Sequence, residues 1–466
     1  MIRVQDKNIE IKHSWHPLPL AYANANFIMS LIDQVRLAGV VGAGGGGFPA
    51  HVKLASKAEI IIANGAECEP LLHKDAAVME HYAAEVVRGV ELSMAATGAT
   101  DGVVGIKAKK KKAVAAIEAA CKGTRVRVQL LGDFYPAGDE YDLVYSVTGK
   151  LIPPGGLPIH VGAIVNNVET LVNIAQAVDG KPVTHKTITI AGAVAEPVSL
   201  MVSIGITFRE CIAAAGGATC DDPVLALGGL MMGEVSDNLD TRVTKTSTGV
   251  IVLPRTHHIM ERKLKPAKAQ AAIGKSACDQ CRYCTEFCPR FLLGYQVEPH
   301  QVMRTLAFTG TGAERFNEWA ALCCSCGLCT LYACPEELFP KEACDDSKAV
   351  LRKQNYKWTG KTDIKVHPMR DGRHVPIKSL MRKMHVEQYD NPAPLRPGIL
   401  ETREVVLALK QSAGGPTVPI VKVGDFVKAG QPVSEPAPNA LGAIIHAPFA
   451  AKVTAIESDR ITLTQS

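Results

Sequence analysis

Ten of this chain's fourteen cysteines fall between Cys278 and Cys344. The segment CDQCRYCTEFCPR sets Cys278, Cys281, Cys284 and Cys288 at C-x2-C-x2-C-x3-C and follows them with Pro289. Thiolates so spaced wrap a cubane [4Fe–4S] cluster with three sulfurs, while the next turn carries the fourth towards a second cluster. A zinc ribbon would instead separate two C-x2-C knuckles. A second array, CCSCGLCTLYACPE, supplies Cys323, Cys326, Cys329 and Cys334 ahead of Pro335, its last gap one residue longer. Exchange of the fourth ligands then groups Cys278, Cys281 and Cys284 with Cys334, and Cys323, Cys326 and Cys329 with Cys288. Cys324 is a spare thiol that could take the place of Cys323. Cys344, Cys68, Cys121, Cys211 and Cys220 have no partner at ligand spacing and read as small buried apolar side chains. Two cubanes move single electrons and do no group chemistry, so the chain needs an electron source and a sink.

The second chemical signal is GVVGAGGGGFPAHVKLA, residues 39–55, with six glycines in nine positions. Each glycine adds backbone entropy that folding must remove. Such a loop repays it where bare amides must close around phosphate oxygens. A mobile surface loop is the plain alternative. The loop is not a Rossmann fingerprint, because no acidic residue stands at the ribose distance.

The elements around these signals alternate. EIIIANGAECEP (59–70) reads as a buried strand breaking at Asn64-Gly65, and residues 81–99 as a helix. Residues 102–108 and the RVRVQLLG segment read as strands flanking a helix that opens on lysines, which predicts a parallel α/β layer. A short helix from Phe27 to Leu37 delivers the chain to the glycines. The lysines Lys107 and Lys109 to Lys112 read as a solvated face. From Thr184 the pattern becomes strand, turn, strand and short helix, as in a β-grasp unit. DNPAPLRPG (390–398) reads as a proline-rich linker to a small β module. The 466 residues suit several domains, and 47% apolar with 21% charged residues is an ordinary globular composition. A net charge of +5 gives no case for nucleic-acid binding. No stretch suits a membrane span or a signal-peptide core, so a cytoplasmic residence without membrane insertion is expected.

Four ordered motifs resemble the flavin- and NADH-binding subunit of respiratory complex I: the glycine loop, NGAECEP (64–70), YPAGDEYDLV (135–144) and VNNVET (165–170). That resemblance implies FMN with its phosphate and ribityl chain against Gly42, Gly44, Gly45, Gly47, Asn64 and the Asn166–Asn167 turn, with Gly138, Glu140 and Thr170 in the same cofactor shell. It places NADH over the ring with Phe48 as an aromatic wall and Lys53 near the flavin. It puts Glu67 and Glu69 on the nicotinamide side as catalytic residues. The order of parts, with a lysine-free biotinyl/lipoyl-like hairpin (PNALGAIIHAP) in the last one, is similar to the RnfC component of the Rnf complex. With that module at the C-terminus, the chain resembles the cobalamin reductase family of propanediol-utilisation microcompartments.

The implied architecture is an N-terminal extension (1–33), an α/β FMN/NADH-binding domain (34–182), an SLBB β-grasp domain (183–260), an α-helical two-[4Fe–4S] ferredoxin-like domain (261–390) and an all-β barrel-sandwich hybrid (391–466). The implied reaction passes electrons from NADH through FMN and two [4Fe–4S] clusters to a corrinoid. A corrinoid adenosyltransferase and microcompartment shell proteins are the implied partners. The alternatives are an electron-input component of an Rnf-type membrane complex and an electron-transfer protein without its own NADH site. The choice of FMN over FAD and of NADH over NADPH stays open, as does that between Cys323 and Cys324.

Overall fold

The computed structural model describes residues 11–12, 29–307 and 313–465. Most of the expected N-terminal extension and the first residues of its helix lie outside them; that helix runs Leu31–Leu37, capped by the Ser30 hydroxyl on the Asp33 N–H. The first domain is built on four parallel strands in the order Val126–Leu131, Asp101–Lys107, Ile60–Gly65, Ala163–Asn167. Ile60–Gly65 is apolar on both faces because helices cover both. Ile61 and Ala63 join a core with Val86, Val90 and Met94 of the Ala83–Thr97 helix. Ile60 and Ile62 pack with Leu143 and Val144 of the Glu140–Thr148 helix.

The strand order fixes where a ligand can sit. Ile60–Gly65 comes first in the chain; Asp101–Lys107 and Val126–Leu131 are added outward on one side of it, and the chain then crosses back to lay Ala163–Asn167 on the other, so the strand order reverses between Ile60–Gly65 and Ala163–Asn167. Ligands in open α/β sheets bind at such a switch point, beyond the carboxyl ends of the strands. Asn64, Gly65, Asn166 and Asn167 occupy those ends.

The second unit is a mixed seven-stranded sheet, with His185–Gly192 and Val198–Ser203 antiparallel and Gly249–Pro254 parallel to the first of them. The Phe208–Ala214 helix packs Phe208, Cys211 and Ile212 onto it. Part of the expected linker belongs to this sheet: Leu395–Leu400 pairs parallel with Val198–Ser203, with an irregularity between Leu395 and Ile399 that admits Pro397. The Ser199 side chain ties in Ala393, so the prolines mark a bulged strand here. The lysine run also splits. Lys107 is buried against Asp133 at 3.2 Å, since it ends an interior strand, while Lys109, Lys111 and Lys112 are exposed.

The third unit is helical, with short turns at the cysteines (Tyr283–Glu286, Pro289–Leu292) and a longer helix, Pro340–Lys353, that carries Cys344. The last is a pair of small sheets of four and three strands. Its core residues Val405, Leu407, Val433 and Leu463 are continuous with Val35, Val40 and Leu54 around the glycine loop. The barrel-sandwich module is therefore packed as a fixed part of the first domain.

Candidate functional site

The glycine loop is a closed turn. The Gly42 N–H donates to Phe48 O (2.9 Å), and the Gly47 N–H to Gly42 O (3.1 Å). At its crest Gly44, Gly45 and Gly46 are exposed, and a Cβ on Gly45 or Gly46 would meet nothing within 4 Å. Gly45 has φ +110°, a conformation few side chains adopt. Gly44 lies against Asn167, where a Cβ would come within 3.2 Å of that side chain. The crest thus offers bare amide backbone beside the switch point, the geometry a phosphate requires.

The two asparagines differ. Asn167 caps the Val168–Val178 helix, its Oδ1 accepting from the Glu169 N–H, and its Nδ2 donates to Asp75 at 2.9 Å. Asn166 is buried, and its Nδ2 has no hydrogen-bond partner. A buried orphan donor is costly unless something else completes it, and a flavin's oxygens fit that need. Asn64 donates to Gly138 O (2.9 Å) and so holds the Tyr135–Gly138 turn. Gly138 is glycine because a Cβ would press to 2.9 Å from Ala66 O. Lys53 donates to Val165 O (2.7 Å) and lies 3.5 Å from Glu140. Phe48 is half-buried beside the crest. Thr170 accepts from the Ala43 N–H (2.9 Å), pinning the loop from below.

A buried charge network lies under the loop. Glu169 pairs with Lys74 (3.0 Å) and with Lys186, and it also accepts from the Thr187 N–H at 2.8 Å. Lys186 donates to Ala43 O (3.1 Å), and Lys74 bonds Asp75 at 2.6 Å. Burial works against the Glu169 carboxylate, but Lys186 and Lys74 outweigh it and hold its pKa low. Removing one partner from such a network costs about 3–5 kcal/mol. Single lysines carry no signal of this in sequence, and the one signal for Glu169 is its place inside VNNVET.

The two candidate catalytic glutamates separate. Glu67 accepts from the Asp75 N–H at 3.1 Å, and burial, then Asp75, raises its pKa to about 8. Burial and Asp75 thus hold its carboxyl towards the protonated form. Glu69 has both oxygens engaged, by the Met231 N–H (2.9 Å) and the Met232 N–H (2.8 Å) of the β-grasp unit. Its side chain fastens two domains together.

Cys278, Cys281, Cys284 and Cys334 line one cavity. Cys288, the last thiol of the first array, lies instead beside Cys323 and Cys324. Each array's final cysteine therefore crosses to the other group. The backbone repeats around the two arrays: Gln280 and Arg282 flank Cys281 with φ of 62° and 73°, and Ser325 and Gly327 flank Cys326 with 57° and 81°. Left-handed residues other than glycine are uncommon, so this match sets the register. It makes Cys323 the counterpart of Cys278. Cys324 lies against Cys326 and Arg290, and the free thiol of Cys344 lies within hydrogen-bonding reach of Cys323, so Cys344 has a thiol neighbour that its spacing hid. Among the described residues no three His, Cys, Asp or Glu side chains converge as the ligands of a single metal ion would. A cubane is gripped at its corners, so its thiolates stand wider apart, and a four-thiol cavity suits it.

The chain's parts match known domains in this order: the Nuo51 FMN-binding domain over residues 35–176, the SLBB domain over 187–235, a 4Fe-4S dicluster domain over 277–339 and the RnfC barrel sandwich hybrid domain over 385–466. Fold and site together define an electron-transfer oxidoreductase of the flavin and iron–sulfur class. The chain is 41% identical over 434 residues to cobalamin reductase PduS of Salmonella typhimurium, covering 93% of this chain and 96% of that protein. It is 39% identical over 432 residues to cobalamin reductase PduS of Citrobacter freundii, covering 92% and 95%. The chain belongs to the cobalamin reductase PduS family. It is also 38% identical over 271 residues, 57% of each chain, to the C component of the proton-translocating ferredoxin:NAD(+) oxidoreductase complex of Clostridium ljungdahlii. Among the described residues no helix is long and apolar enough to cross a membrane.

Proposed function

We propose that this chain oxidises NADH at FMN held over the glycine crest and delivers the electrons singly, through two [4Fe–4S] clusters, to a corrinoid. The observation that carries the reading is the conjunction at the switch point: bare backbone at Gly44–Gly46 beside the orphaned Nδ2 of Asn166. FMN supplies the conversion of a two-electron hydride into single electrons, and each cluster accepts one. The chain's own residues have simpler tasks. The crest amides and Asn166 bind the flavin, Phe48 walls the nicotinamide, and Glu67 exchanges a proton near the ring. Cys278, Cys281, Cys284 and Cys334 hold one cluster; Cys288, Cys323, Cys326 and Cys329 hold the other. A corrinoid adenosyltransferase consumes the reduced corrinoid, and residence within a microcompartment belongs to the same reading.

The test is an anaerobic titration of the purified protein with NADH, followed by absorbance and electron paramagnetic resonance, and with NADPH alongside. FMN released on denaturation, about eight irons per chain and flavin bleaching followed by cluster signals are expected. Clusters that dithionite reduces and NADH does not would overturn the NADH route. Failure of the NADH-reduced protein to convert aquacobalamin to cob(II)alamin would overturn the corrinoid acceptor.

A further inference from the structure

Resting on the reading above, we infer that the two cysteine groups are ordered: the one containing Cys288 and Cys326 takes electrons from the flavin domain, and the one containing Cys281 is the outlet.

The inner group is built against the flavin motifs. Tyr135, fully buried, donates its hydroxyl to the Cys326 carbonyl oxygen at 2.6 Å. Cys68, from the NGAECEP segment, packs in the same apolar cluster as Tyr135, Cys324 and Cys326. Arg290, two residues after Cys288, reaches Asp139 at 2.9 Å at the head of the Glu140–Thr148 helix. The inner thiols therefore lie behind the turn that Asn64 holds, tied to it by packed side chains, the Tyr135 hydrogen bond and the Arg290–Asp139 pair.

Among the described residues the outer group shows no such contact. Every residue lining its cavity comes from positions 278–340, none from the flavin domain. Cys281 is exposed, as are Asp279, Arg282 and Glu336 around it. The groups approach each other through Cys284 and Cys329. Electrons entering at Tyr135 therefore meet the inner group first and leave where Cys281 faces solvent. One NADH, going to NAD⁺ and a proton, supplies two electrons, one for each group.

Two ligand variants and one conservative variant test this on the full chain. Cys281→Ala should lose about four irons while NADH still elicits the paramagnetic signal of the remaining cluster. Cys326→Ala should lose the same iron but leave a remaining cluster that dithionite reduces and NADH does not. The opposite pattern, or NADH reduction of the remaining cluster in both, overturns the order. Should a ligand variant lose both clusters, Tyr135→Phe decides: freeze-quenched samples should show slower cluster reduction at unchanged flavin bleaching and iron content. Unchanged cluster kinetics in that variant refutes the entry point. Parent protein whose flavin NADH does not bleach refutes the donor, and the order is then read after photoreduction of the flavin, because dithionite reduces the clusters directly.

Discussion

Gly45→Ala isolates what the glycine crest is for. At φ +110° an alanine is strained, by about 1–3 kcal/mol. The structure adds no steric term, because a Cβ there meets nothing within 4 Å. In a protein without cofactor the whole cost is therefore backbone strain, and an exposed loop relieves part of it. With FMN bound, the methyl group occupies the space the phosphate oxygens need, and at least about a tenfold loss of affinity, 1.4 kcal/mol, is expected. Two controls separate the terms. Gly98→Ala also sits at positive φ (+75°) in open space, far from the site in sequence, and should cost about 1–2 kcal/mol of stability with FMN affinity unchanged. Gly46→Ala has open space without a left-handed backbone, so it should leave the apoprotein's stability near-unchanged while weakening FMN binding, which separates the methyl group's clash from backbone strain. The assay is fluorescence titration of apoprotein with FMN beside urea unfolding of the same apoprotein. Unchanged FMN affinity in Gly45→Ala would refute the assignment of the crest to the cofactor.

Asn166→Leu and Asn167→Leu should part company. The first removes an amide whose Nδ2 has no hydrogen-bond partner and should shed FMN with folding intact, whereas the second removes a helix cap and costs about 0.5–2 kcal/mol as well; equal flavin content in Asn166→Leu and parent would dismiss Asn166 from the site. Glu67, with its folded-state pKa near 8 and an unfolded value near 4.3, contributes stability that is complete below about pH 4.3 and is lost as pH rises through 8. Glu67→Gln should flatten the apoprotein's urea midpoint across that window, and a slope like the parent's would show that the carboxyl does not titrate there. Lys245 donates to Gly39 O (2.7 Å) and Ile444 O (2.6 Å), and burial lowers its pKa to about 7. Its contribution is complete above the unfolded value near 10.4 and is lost as pH falls to 7. Lys245→Met should therefore lack the parent's gain in urea midpoint between pH 7 and 10, and should weaken FMN binding because it frees Gly39 from the barrel-sandwich module. Undiminished FMN affinity would show that the module does not brace the loop.

Short-range spacing decided much of this protein before any fold was known. Cysteines at C-x2-C-x2-C can close only on a small cluster, and a run of glycines has few uses beyond a turn or a phosphate. Strand–helix alternation likewise named the parallel layer, because periodicity is a local property of the chain. What spacing could not reveal is which groups meet across long stretches of chain. The crossing of Cys334 and Cys288 was expected from the arrays, but the backbone correspondence of Cys323 with Cys278 needed the φ values around Cys326. Glu69 looked catalytic beside Glu67 until the fold brought the Met231 and Met232 amides onto it. The prolines of 390–398 suggested a linker, yet the edge beside Val198–Ser203 recruited Leu395–Leu400 as a bulged strand. Lys107 belonged to a solvated run by charge pattern, whereas its strand carried it inside to Asp133. The barrel-sandwich module touches the glycine loop only because the chain returns some two hundred residues after Lys245 and more after Gly39, placing the Ile444 carbonyl within 2.6 Å of the Lys245 ammonium. Local chemistry was legible because neighbours in sequence must be neighbours in space; the buried charges and domain contacts were set by burial and desolvation, which act only once the whole chain has closed.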